Sequence, residues 1–460
     1  DVKAFLNQPG ISTNIENDPR FFANTMSLSD KTNTFEKGVF TYCKNRGNDK
    51  CPPWALQSKK ITHDLATKTI YYDNVVLKVY DFPIFFSPKF SHPDPTVKRR
   101  SGLLAPLMSS STSLGSGIAT PYFWNIANDK DITFTPKFYL NENPLFLAEY
   151  RQDFLNSFLI LDTGFTRGYK KINNKKTAGS RSHFFSSFNL NLLDEEEKKS
   201  SLKIDLEKVS NDTYLKVYDF ESSLANREKT ILQRKIDFAY QEKDFYFGLT
   251  PGAYEDTGKH GHLRHEYLLP LTIEKNIMTS QKNGFLDLSS NLRLRNYDTN
   301  KQTNLFVNDF NWKSTKWLNS LGVEKYFEGL IKTVNYDAEN TTDYKNDKTN
   351  SEVHAALGYF AKLGLYKEDV INKNFYSFTP KFLLRYAPGH MRETTGPRLN
   401  YRNLFNLSKM DKLDVVEPGL STSVGFEYKK NKLNESNIIG DEMLSFSVGQ
   451  VISEKENMDI

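Results

Sequence analysis

Long apolar runs are missing from this 460-residue chain. No stretch approaches the roughly 18 uninterrupted apolar residues that a membrane helix needs. If the chain crosses a bilayer it must do so as a closed sheet, since only helices and barrels satisfy the backbone in lipid. A one-signed charge excess is missing too. The 61 basic residues nearly balance 56 acidic ones, for a net charge of +5 without a basic stripe, which argues against nucleic acid as a partner. Cysteine is nearly absent, with two residues, Cys43 and Cys51. There is no phosphate-cradling glycine loop, no serine nucleophile elbow and no zinc-protease helix motif. The sequence therefore points to no enzyme and implies no cofactor.

What is present is aromatic: 34 Phe and 24 Tyr within a chain of mean hydropathy −0.59. Abundant rings in a polar chain suit strands with one apolar and one wet face. Tyr376, Phe378, Phe382, Leu384 and Tyr386 alternate with Ser377, Thr379, Lys381 and Arg385. Leu420, Val424, Phe426 and Tyr428 alternate with Ser421, Ser423, Glu427 and Lys429. Leu286, Leu288, Leu292 and Leu294 alternate with residues that include Arg293 and Arg295, and Ile132, Phe134, Phe138 and Leu140 with Thr133, Thr135, Lys137 and Tyr139. A period of two sends these sets to opposite faces. Each run is about 9–12 residues, the length a tilted strand needs to cross a bilayer. The expected fold is all-β: a transmembrane antiparallel β-barrel.

Residues 1–97 read differently. Short β-like runs, Gly38–Cys43, Trp54–His63, Thr69–Tyr72, Val75–Tyr80 and Phe82–Phe86, are separated by turn residues such as Asp73-Asn74. They predict a small separate β-domain. Pro93 and Pro95, followed by Lys98, Arg99 and Arg100, mark a domain junction where two close prolines forbid regular pairing. Residues 98–460 are then the barrel, with the polar run Ser109–Gly117 at its entrance. Polar stretches Arg167–Ser182, Asp194–Ser201, Thr341–Ser351 and His390–Arg402 read as loops, and no amphipathic helix stands out. The chain does not begin with Met, its start is unlike a signal peptide, and it ends within a strand-and-turn pattern. The expectation is a fragment cut at both ends.

Four constellations bear on function. Pro121 and Pro136 lie inside strand-like runs, Ile118–Ala127 and Asp131–Leu140. Each removes a ladder donor worth roughly 1 kcal/mol, and more in lipid, so adjacent weakened strands predict a seam; the plainer alternative is that both mark strand ends. Cys43 and Cys51 flank a polar turn and could form a local disulfide, pair with cysteines elsewhere or stay free. His260, His262 and His265 are close enough for a metal site, but Lys259 and Arg264 beside them favour a solvated turn. Acidic pairs such as Asp153 with Asp162 carry no sign of burial.

The run Phe90-Ser91-His92-Pro93-Asp94-Pro95-Thr96-Val97-Lys98-Arg99-Arg100-Ser101-Gly102 resembles the domain junction of the lipopolysaccharide-assembly family LptD, the organic-solvent-tolerance proteins. Thr120-Pro121-Tyr122-Phe123-Trp124-Asn125-Ile126-Ala127 and Ile132-Thr133-Phe134-Thr135-Pro136 are similar to its first two barrel strands. Further matches are Arg181-Ser182-His183-Phe184-Phe185, Asp212-Thr213-Tyr214-Leu215, and the stretch from Leu404-Phe405 through Asp414 and Glu417 to Gly419.

The resemblance implies a periplasmic β-jellyroll, of which residues 1–97 are a remnant, joined to a very large barrel in the outer membrane. It implies lipopolysaccharide as cargo, a jellyroll bridge protein (LptA-like) as donor, a lipoprotein plug (LptE-like) within the barrel and the barrel-assembly machinery as a further partner. Pro121 and Pro136 become a lateral gate between the first and last strands. The family's barrel has about 26 strands against roughly 16 candidates here, so the barrel is expected to be incomplete. The family's cysteines link the jellyroll to the far end of the barrel, which carries none here, so the pairing of Cys43 and Cys51 stays open. Arg293 and Arg295, on the polar face, are expected to meet lipopolysaccharide in the lumen. The rival readings are a passive porin or plugged receptor, and a soluble glycan-binding β-sandwich.

Overall fold

The structure, a computed structural model, describes residues 2–4, 20–41, 54–94, 97, 99–104, 106–111, 114–172, 175–342, 344, 349–392, 399–410, 412–434 and 438–454. It is all-β and antiparallel, of the β-barrel class. Two compact units divide it, residues 1–150 and 151–460.

The first unit opens with a seven-stranded sheet. Its principal members are Thr32–Thr41, Trp54–Asp64, Thr69–Val79 and Phe82–Pro93, paired in that order. Phe21, Phe35, Phe40, Ile61, Ile70, Tyr72 and Val75 form its core, with the Phe21 and Phe35 rings stacked at 4.8 Å. The last strand leaves Phe82, Ile84, Phe85 and Phe86 exposed. Two expectations are corrected here. Asp73-Asn74 is no turn: the ladder continues through it, and Asn74 takes a positive φ of 52° as an irregularity within Thr69–Val79. Pro93 does not stop pairing either, because it stands opposite Thr69 at the end of its strand, where its missing N–H interrupts nothing beyond.

Sheet membership changes between Pro93 and Gly102. The polar run at 109–117 is a hairpin rather than a linker, with Leu107–Ser111 paired to Gly115–Ala119. Tyr122–Ala127 and Lys130–Tyr139 follow.

The second unit is an up-and-down meander. It includes Ser157–Ile172, Lys175–Asp194, Lys198–Val209, Ile231–Glu242, His265–Ser280, Gly284–Tyr297, Lys301–Lys313, Val323–Glu339, Asn350–Leu363, Asn374–Ala387, Gly419–Leu433 and Ile439–Ser453. Many of these have 12–17 residues. The expected loop at 167–182 is instead the extension of a hairpin, with register continuing from Phe165↔Ser182 to Ile172↔Lys175. The two longest connections, residues 210–230 and 388–418, leave from the same edge of the meander.

The alternating patterns sort by face in the sense opposite to a water-soluble protein. Leu384 and Tyr386 are exposed while Arg385 between them is 1% exposed; Leu420 and Val424 are exposed while Ser421 and Ser423 are buried. Ile331 is 53% exposed beside the buried Lys332, and Leu357 is exposed beside the buried Ala356. An apolar outer surface around a polar interior is what a strand meets when its exterior is hydrocarbon.

Candidate functional site

Two features stand out in the residues that the sequence singled out: a double defect in the first unit's ladder, and a polar wall in the second unit on which a connection is seated.

The defect is built by the prolines. Gly115–Ala119 and Tyr122–Ala127 are one strand interrupted at Thr120-Pro121. Register runs from Ala119↔Lys137 to Tyr122↔Phe134, so the interruption faces Thr135 and Pro136. Thr120 N–H donates to Pro136 O at 3.1 Å, and Leu104 N–H to Pro121 O at 2.8 Å. The reciprocal bonds cannot form, because neither proline has an N–H. Pro136 lies within its strand as expected; Pro121 lies in a gap between two strands rather than inside one.

Close by, two successive arginines reach in different directions. Arg100 donates to Thr67 O at 3.0 Å, to Lys68 O at 3.3 Å and to Thr69 Oγ1, which together form the turn between Trp54–Asp64 and Thr69–Val79. Arg99 donates to Asn128 O at 2.6 Å and to the carboxylate of the buried Asp131, at the turn between Tyr122–Ala127 and Lys130–Tyr139. The pair forms a clasp between the seven-stranded sheet and the hairpin that carries both prolines. Pro95, Lys98, Cys43 and Cys51 lie outside the described residues.

In the second unit, the 388–418 connection packs on the polar face. Arg385, fully buried, donates to Leu407 O and, at 2.5 Å, to Glu417 O. Lys332 donates to Leu413 O at 2.7 Å and pairs with Asp309 at 2.6 Å. Ser423 Oγ donates to Leu404 O at 2.7 Å. Glu417 accepts from the Lys409 backbone N–H at 2.9 Å, and the Lys409 ammonium donates to Ser421 Oγ at 2.8 Å. Burial, with Arg385 alongside, holds that ammonium down at about 8, against the pull of Glu417. Leu407 and Val416 join Leu330, Ala356 and Ala387 in a small apolar cluster.

Glycines make room for this seat. A Cβ at Gly358 would lie 2.6 Å from Leu407 Cδ2, one at Gly425 would lie 3.1 Å from Phe405 Cζ as well as against backbone, and one at Gly449 would lie 3.3 Å from Leu404.

The 210–230 connection is anchored similarly. His183 bridges Asp162 Oδ1 at 3.1 Å and the Tyr214 hydroxyl at 3.0 Å, all three buried, with Phe185 and Phe220 against the imidazole. Asp162, which carried no sign of burial in the sequence, is thus an interior residue. Its signal lay in the motifs containing His183 and Tyr214, which converge here although 31 residues apart.

Arg293 and Arg295 share the polar face of their strand, but Glu266 already holds the Arg295 guanidinium at 2.7 Å, and the Tyr297 ring lies 3.9 Å from it. Near the histidines, Gly261–Arg264 is a single 3-10 turn, and Arg264 pairs with Glu255 at 2.5 Å and Asp212 at 2.6 Å. Among the described residues no group of three or more His, Cys, Asp or Glu could hold a metal.

No family model matches the chain. It is similar to proteins named LPS-assembly protein LptD. That of Nitrosococcus oceani is 30% identical over 213 residues, 44% of this chain and 25% of that one. That of Shewanella sp. (strain ANA-3) is 38% identical over 106 residues, 22% and 14% of the two chains. That of Histophilus somni is 25% identical over 240 residues, 51% and 28%. The matched part is about a quarter of the length of the first of these relatives. A solved structure, a bacterial polysaccharide outer membrane secretin, overlaps at 11% identity and a TM-score of 0.23, covering 59% of this chain and 83% of that one, too slight for any inference to rest on.

Proposed function

We propose that this LptD-like chain is the barrel-forming part of a lipopolysaccharide translocon in the outer membrane, and that it works without catalysis. Lipopolysaccharide arrives at the seven-stranded sheet, which acts as a periplasmic jellyroll remnant (residues 1–97), from an LptA-like bridge. It leaves for the outer leaflet through the barrel wall (residues 98–460) at the proline-interrupted strands, while an LptE-like lipoprotein occupies the lumen. The short connections then face the periplasm and the long ones the exterior, as in other outer-membrane barrels.

The observation that carries this reading is the pair of half-made bonds at Thr120/Pro136 and Leu104/Pro121. The two missing bonds fall in the ladders on either side of the interrupted strand and weaken each seam by about 1 kcal/mol, and by more in hydrocarbon. A passive pore has no use for such a weakness at mid-strand. The exposed Phe82, Ile84, Phe85 and Phe86 offer acyl chains an apolar surface within the same unit.

The test replaces both prolines, Pro121→Ala with Pro136→Ala, in the full-length protein. Restored ladder bonds should slow the appearance of new lipopolysaccharide at the cell surface several-fold while leaving solute permeability unchanged. Unaltered surface delivery would refute the gate. A change confined to solute permeability would favour a porin.

A further inference from the structure

At the edge of the meander from which the long connections leave, the register lines up four side chains across four neighbouring strands. Tyr267 stands opposite Asn296, Asn296 opposite Gln302, and Gln302 opposite Glu339. The row occupies the face that, one pair farther down, carries Leu269 and Leu294. It belongs to a depression of about 620 Å3, within the roughly 300–1,000 Å3 of small-molecule sites.

The lining is chemically particular: every side chain in it is polar. Asn296, Asn300, Gln302 and Asn340 contribute carboxamides, each able to donate and accept hydrogen bonds. Tyr267, 57% exposed, adds an open ring face and a hydroxyl. Charge is sparse: one ammonium, one carboxylate and the His265 imidazole. Lys301 lies 3.2 Å from Asp298 and near the Tyr297 ring, and Glu339 supplies a single carboxylate. A phosphate site would gather cations and a metal site carboxylates. Amides around an exposed ring, without net charge, match neutral sugar hydroxyls and the apolar face of a pyranose.

We propose that this depression binds the saccharide portion of a membrane glycolipid whose acyl chains lie against the apolar surface below it. The inference rests on the orientation given under Proposed function and deepens it. The barrel would then hold delivered glycolipid on its outer wall, at a site separate from the prolines.

The experiment uses the full-length protein in lipid nanodiscs and a neutral hexose oligosaccharide from the outer core of lipopolysaccharide as probe, followed by saturation-transfer NMR. Tyr267→Ala and Gln302→Glu should each weaken oligosaccharide binding at least tenfold, and inorganic phosphate should not compete. Unchanged affinity in both variants, or displacement by phosphate, would overturn the proposal. Gln302→Glu preserves shape, so its result holds even where Tyr267→Ala misfolds. Separately, Thr299→Cys should react with an impermeant maleimide on intact cells. No labelling there would defeat the orientation, and with it the headgroup site. Labelling without oligosaccharide binding would defeat the site alone.

Discussion

Arg99 and Arg100 make opposite grips from adjacent backbone positions, so each should be separable by substitution. Arg100→Ala removes three hydrogen bonds to the turn at Thr67, Lys68 and Thr69. Charge-assisted bonds contribute roughly 1.5–3 kcal/mol when buried. This guanidinium is exposed, and screening reduces its grip to about 1 kcal/mol. Arg99→Ala differs, because it removes a guanidinium from Asp131, which is 5% exposed. Breaking a fully buried ion pair costs about 3–5 kcal/mol, and losing the partly exposed Arg99 from this one costs about 2 kcal/mol. Amide hydrogen exchange in the full-length protein reads both. About 1 kcal/mol should speed exchange of residues 65–69 about fivefold in Arg100→Ala, and about 2 kcal/mol should speed that of residues 128–131 about thirtyfold in Arg99→Ala. Arg100→Lys should rescue poorly, since one ammonium cannot reproduce the fork of a guanidinium. Exchange within twofold of the parent at both turns would refute the clasp.

Two further outcomes are expected. Gly358→Val places branched carbon against Leu407 and should dislodge the 388–418 connection, raising the conductance of the reconstituted barrel and its cleavage by protease near residues 401–410; an unchanged conductance would mean that the glycine does not set the seat. Burial of His92, outweighing Pro93 O and Asp94, pulls its imidazole below the usual 6.5, with the Tyr72 hydroxyl 2.7 Å from Nε2. The unfolded chain then binds more protons just below that value, so stability is full above pH 6.5 and declines as pH falls toward the folded-state pKa. Protection of Phe82–Pro93, taken as exchange relative to the intrinsic rate at each pH, should fall between pH 7.5 and 5 in the parent, and less so in His92→Gln.

Much of the fold was legible because strand alternation is a local property. Arg385 between Leu384 and Tyr386 announces two faces, and the structure makes the apolar one the exposed one. Irregular segments were harder. Leu404, Leu407, Met410, Val415 and Val416 follow no period of two or 3.6, so their burial against the polar wall depends on tertiary contacts that a linear pattern cannot carry. The glycines that seat them sit in ordinary strands and gain meaning only through partners 20 to 49 residues away. Asp162 showed no sign of burial because its neighbours in the interior, His183 on the adjacent strand and Tyr214 in the 210–230 connection, are far from it in sequence. Asp73-Asn74 misled for the opposite reason: residues suited to a turn also serve an irregularity inside a strand.

In the gate proposed above, the placement of the proline defect would decide how the wall opens. Ladder on both sides of it is intact, with Gly117–Ala119 paired above and Tyr122–Asn125 below. Separation that began there would spread outward as a blister, with both rims still stitched. A lipid tail could slip through such a slit while the ends of the two strands keep their register, and the slit reseals from its corners inward once the tail has passed.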